Sequence, residues 1–140
     1  MFQRIVVATD FSAASAAALD VAGRLAGRAT TLVALNAIPP LYPDVAYANL
    51  PAAMREQQAT FAIAPHTSGA SVERAVVIGD PASTIVATAR DTRADLIVMG
   101  VHAEHGLDHW LRGSVTERVV HEAPCHVLLV KHGRQDAARA

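Results

Sequence analysis

The chain has 140 residues, 51% of them hydrophobic and 18% charged, which suits one folded domain and excludes a disordered chain. Twelve basic side chains against thirteen acidic ones leave a net charge of −1, without the overall basic footprint of a nucleic-acid binder. A single cysteine, Cys125, excludes an internal disulfide and a multi-cysteine metal site. No apolar run approaches the roughly 20 residues a membrane helix needs. The opening Met1-Phe2-Gln3-Arg4-Ile5-Val6-Val7 leads straight into a strand and lacks a signal-peptide layout. The expectation is one soluble, cytoplasmic domain over residues 1–140, with 133–140 as a frayed tail.

Residues 4–9 are short, apolar and β-branched, as in a strand buried on both faces. Asp10-Phe11-Ser12 follows, and then an alanine-rich helix to about Gly27. Ala18, Val21, Ala22 and Leu25 share one side of it, while Asp20, Arg24 and Arg28 line the other. Ser12 or Asp10 can cap its start. A second strand is expected at 30–37. Three prolines, Pro39, Pro40 and Pro43, break regular structure after it. A helix is expected from about Ala48 to Ala64, ended by Pro65 and Gly69.

The third strand falls at 71–78, alternating early and apolar late. Asp80-Pro81 is a helix start, with the acid as N-cap and proline at the first helical position. That helix runs to about Thr92 and buries Ile85, Val86 and Ala89. The fourth strand is placed at 94–99, followed after Gly100 by a histidine-rich loop. Ser114 and Glu117 have capping-box spacing for a last helix. It is expected to bury Val115, Val119 and Val120 and to stop before Pro124. The last strand is expected at 126–131.

Buried strands alternating with amphipathic helices predict an α/β fold, a parallel sheet with helices on both faces. Such sheets bind ligands beyond the carboxyl ends of their strands, where the strand order reverses. Two stretches at strand carboxyl ends carry unusual chemistry: Ala8 to Ser12, and Gly100 to Ser114. They meet at one crevice if the first and fourth strands are neighbours. Gly113-Ser114 before a helix makes an anion site from unpaired N–H groups and the helix dipole. The same residues also read as an ordinary capped helix. Asp10 can accept hydrogen bonds from a ribose or an adenine amino group, or cap the first helix.

His102, His105, His109 and Asp108 share one loop and offer zinc-type ligands, although not at helical spacing. No Gly-x-Ser-x-Gly elbow, P-loop or Gly-x-Gly-x-x-Gly fingerprint is present. Cys125, between Pro124 and His126, reads as a structural thiol.

Taken in order, these segments resemble the universal stress proteins. The resemblance rests on Ile5 to Ser12, Gly79-Asp80-Pro81, Ala94 to Gly100, Gly113 to Val119 and Ala123 to Val130. It implies a doubly wound five-stranded sheet ordered 3-2-1-4-5. It also implies a homodimer pairing the last strands through Val127, Leu128, Leu129 and Val130. Nucleotide binders of that family carry Gly-x2-Gly-x9-Gly-Ser/Thr. This chain has Gly100-x2-Ala103-x9-Gly113-Ser114, with alanine at the second glycine and Glu104 beside it.

By position, Asp10 and the Ala37 backbone would meet adenine, and Ala8 and Gly100 the ribose. Ala103 would stand in the loop, and Gly113, Ser114 and Val115 would hold phosphates. The implied ligand is ATP, with Mg²⁺ as its companion ion. Lys131 is the only lysine, no nucleophile–base pair is evident, and the residues suit a switch better than a fast enzyme. The rival expectations are a dimeric protein-interaction module with a closed pocket, and a metal site in the histidine loop.

Overall fold

The computed structural model describes residues 2–10, 12–38, 69–102 and 115–132. Strand β1 (Arg4–Ala8) is the short β-branched run, buried at Ile5, Val6 and Val7. Helix α1 (Ala13–Leu25) is N-capped by Ser12, whose Oγ accepts from the Ser15 N–H at 3.2 Å. Its buried stripe is Ala14, Ala18 and Ala22, continued by Ala26 just past its end. The four-residue spacing of these alanines explains why Leu25 lies off the stripe and is 38% exposed, contrary to expectation. The outer face carries the expected Asp20–Arg24 ion pair, and both partners are more than half exposed.

Strand β2 (Thr31–Ile38) follows, and then β3 (Ser71–Ile78). Helix α2 (Pro81–Asp91) begins with proline after the Asp80 N-cap, and buries Ala82, Ile85, Val86 and Ala89. Strand β4 (Leu96–His102) starts two residues later than expected and ends three residues later. It runs through Gly100 because β5 (His126–His132) pairs with it as far as His102↔His132. Helix α3 (Val115–Glu122) lies between those strands in sequence. The expected helix at 48–64, the tail at 133–140 and most of the histidine loop lie outside the described residues.

The five strands are parallel and ordered β3-β2-β1-β4-β5. Central β1 pairs Ile5 with both Leu32 and Leu96, and Val7 with Ala34 and Val98. Alternate residues therefore feed two separate cores. On one face Val6, Val33, Leu35, Ile97 and Met99 pack against α2 and Val119 of α3. On the other, Ile5, Val7, Leu32, Leu96 and Val98 pack against the alanine stripe of α1. Fully burying each large aliphatic side chain contributes about 2 kcal/mol, which is the main force behind this layering.

Two burial expectations need correction. In α3 the inward residues are Thr116 and Val119, at 3% and 0% exposure, while Val115 and Val120 stand 37% and 43% exposed. The inward face thus follows the three-residue step from Thr116 to Val119. Strand β3 is an edge strand, and its apolar end, Val76, Val77 and Ile78, is more than a third exposed.

Candidate functional site

Because β1 and β4 are adjacent, the strand order reverses between them. A cavity of about 490 Å³ opens there, over the carboxyl ends of β1, β2 and β4. Its size is within the range of small-ligand sites. Ala8, Thr9 and Asp10 enter it from β1 and the turn that follows. Leu35 and Ala37 come from β2, and Met99 and Gly100 from β4. The starts of all three described helices complete the wall: Ser12, Ala14 and Ser15 at α1, Pro81 and Ile85 at α2, Val115 and Thr116 at α3.

The structure brings Ala8, Asp10, Ala37, Gly100 and Val115 of the sequence-proposed set to this one cavity. Ala103, Gly113 and Ser114 lie outside the described residues. So do His105, Asp108 and His109, and no metal-binding group occurs among the described residues. Thr9, Ser15 and Thr116 are the polar wall residues that sequence reasoning missed. Thr116 had a signal, since it sits three residues before Val119 on the inward face of α3. Ser15 falls between alanines and gave none.

Asp10 does not cap α1. Its Oδ1 instead accepts from the Ser12 N–H at 2.9 Å, a tight turn at the wall of the cavity. Partial burial pushes its pKa up, but hydrogen bonds, chiefly from the Ser12 hydroxyl and N–H, outweigh that and hold it below the usual 3.8. At neutral pH the group is therefore an ionised, acceptor-only carboxylate. Beneath it, Thr9 Oγ1 donates to Ser15 Oγ at 3.1 Å, and Ser15 Oγ donates to the Ser12 carbonyl at 3.0 Å.

Gly100 has a packing reason to be glycine. A Cβ on it would lie 2.0 Å from the Ala14 carbonyl oxygen, so the first turn of α1 rests directly on the β4 backbone. The same cavity is lined by the N-terminal turn of α3, where helix N–H groups and the dipole favour an anion. Thr116 is 3% exposed there, and no hydrogen-bond partner for its hydroxyl occurs among the described residues.

The α3 turn is fixed from behind. Arg118 Nη1 donates to Asp80 Oδ2 at 2.7 Å, and Nη2 donates to Ser83 Oγ at 3.0 Å. Asp80 Oδ2 also caps the Ser83 N–H at 3.0 Å, so one carboxylate holds the starts of α2 and α3 in register.

The sequence profile of the Universal stress protein family matches residues 1–131. The chain belongs to the universal stress protein family. A universal stress protein of Thermus aquaticus is 34% identical over 94% of this chain and 100% of its own length. Two further relatives, from Methanocaldococcus jannaschii and Methanothermobacter thermautotrophicus, are 43% and 42% identical. Those two are matched over only 40% and 45% of their own length. Among solved structures, a Methanocaldococcus jannaschii protein superposes with a TM-score of 0.73 at 27% identity. It covers 95% of this chain and 98% of its own. A universal stress protein in complex with cAMP superposes at 0.66 with 29% identity, over 92% of this chain and 97% of that one. The strand order is that of the universal stress protein fold.

Proposed function

We propose that this universal stress protein binds an adenine nucleotide in the β1–β4 cavity, ATP first among the candidates, as the input of a stress-response switch. The observation that carries the reading is that two polar groups line one largely apolar cavity. One is the ionised Asp10 carboxylate. The other is the α3 N-terminal turn with the buried Thr116 hydroxyl. A base with an amino donor suits the first and a phosphate suits the second. Leu35, Ile85 and Met99 supply apolar contact in the same cavity. The cAMP complex of a relative supports a nucleotide of this class. Gly113 and Ser114, read from sequence, would extend the phosphate contacts.

The test is a thermal melt with and without 1 mM ATP and Mg²⁺, repeated with cAMP. With a dissociation constant of about 10 μM, saturation adds about 2.7 kcal/mol. For a chain of this length that is a rise of roughly 5 °C or more. A rise that disappears in Asp10→Ala supports the reading. No rise with either nucleotide rejects it.

A homodimer through β5 belongs to the same proposal. Among the described residues β5 pairs only with β4, and Val127, Leu128, Leu129 and Val130 are all half-buried. A second copy would cover an edge that two core clusters already reach. This surface also carries the rival reading, a protein-interaction module indifferent to nucleotides.

A further inference from the structure

Ser15 is an uneconomical residue where it stands. It is 5% exposed on α1, beside the buried Ala14 and Ala18. Alanine there would be a better helix former and would bury no hydroxyl. The N-cap does not need the Ser15 side chain, because Ser12 Oγ caps the Ser15 backbone N–H, which any residue but proline supplies. Nor does the first helical bond need it, since the Ala16 N–H donates to the Ser12 carbonyl at 3.0 Å.

What the Ser15 hydroxyl does make is a chain of contacts. It accepts from Thr9 Oγ1, itself only 6% exposed at the end of β1. It donates to the Ser12 carbonyl, and it stands 3.4 Å from Ser12 Oγ. The Ser12 N–H in turn holds Asp10 Oδ1. The path therefore runs from rigid strand, through two buried hydroxyls, to the carboxylate at the cavity. A carboxylate that only accepts, held in one orientation, discriminates by hydrogen-bond polarity. An amino group opposite it donates, whereas a carbonyl in the same place sets two acceptors against each other. Leaving such groups unpaired costs more than losing a contact.

Resting on the nucleotide reading above, we propose that Ser15 and Thr9 are positioning residues that fix the Asp10 carboxylate, so that the cavity takes amino purines and rejects oxo purines.

The test is calorimetric titration of ATP against ITP, and of cAMP against cIMP, pairs that differ in the base. Wild type is expected to prefer the adenine nucleotide by about tenfold or more, a difference of about 1.4 kcal/mol. Asp10→Asn, whose amide both donates and accepts, should erase that preference. Ser15→Ala and Thr9→Val should each reduce the ratio by about threefold, by weakening the adenine member while inosine binding stays nearly constant. A merely structural role would weaken both members together, and that result overturns the proposal, as does an unchanged ratio. Melting curves of both variants establish that they fold, and Thr9→Val decides the matter if Ser15→Ala does not. If wild type binds none of the four nucleotides, the nucleotide reading itself falls and takes this inference with it.

Discussion

Gly100 and Arg93 show how much a single backbone position can ask of its side chain. At Gly100 a methyl group would press into the Ala14 carbonyl, and the neighbouring atoms are backbone rather than a flexible chain end. Gly100→Ala should therefore displace the first turn of α1. The expected cost is about 3 kcal/mol in chemical denaturation, at the upper end of overpacking. It should also impair nucleotide binding, because Ser12, Ala14 and Ser15 move with that turn. Arg93 is the reverse case. It follows the Thr92 C-cap with φ of 54°, a left-handed conformation that favours glycine. Arg93→Gly should stabilise the fold by up to about 1 kcal/mol, read as a higher denaturation midpoint. Neither outcome can be taken from residue type alone. Gly100 belongs to a recognisable motif, but the pressure of α1 against it is a tertiary contact between residues far apart in sequence.

At the scale of elements, the helix starts carry most of the chemistry. Asp80 is held below its ordinary 3.8, first by the Ser83 backbone N–H, then by the Ser83 hydroxyl and the Arg118 guanidinium. A lowered native pKa means that the carboxylate's stabilisation is fully present above the unfolded value. It is lost as pH falls through the native value, below 3.8. The melting difference between wild type and Asp80→Ala should thus be constant near neutrality and shrink in acid below 3.8. A difference that persists undiminished in strong acid would show that the cap acts through packing and not through charge. Arg118→Ala should reproduce part of the neutral-pH loss.

The Asp80-Pro81 start was legible because capping is local chemistry. The phase of α3 was not. Valines at 115, 119 and 120 are equally apolar, and only the position of the sheet beneath them turned Thr116 inward and Val115 and Val120 outward.

For the whole molecule, the test of assembly lies at the sheet edge. Leu128 is half-buried on edge strand β5, and a lysine there opposes strand pairing. Leu128→Lys should convert the proposed dimer to a monomer in light scattering. A wild-type protein of monomer mass would overturn the dimer directly. No described helix is long and apolar enough to cross a membrane, in keeping with the short apolar runs of the sequence.

The alternation of apolar strands and amphipathic helices determined the α/β class and most element positions, because burial and capping write themselves into nearby residues. That Asp10 and Gly100 meet at one crevice needed the adjacency of the first and fourth strands, which only the family resemblance implied and the strand order then showed. Tertiary structure alone decided how the wall between them is built. Thr9, Ser15 and Thr116 became cavity residues through strand register and helix rotation, which no local pattern encodes. Ser12 rather than Asp10 took the cap, and the Asp10 carboxylate holds the Ser12 N–H at the cavity wall instead. The extension of β4 through Gly100 likewise depended on its pairing with β5, a contact supplied by residues some thirty positions later in the chain.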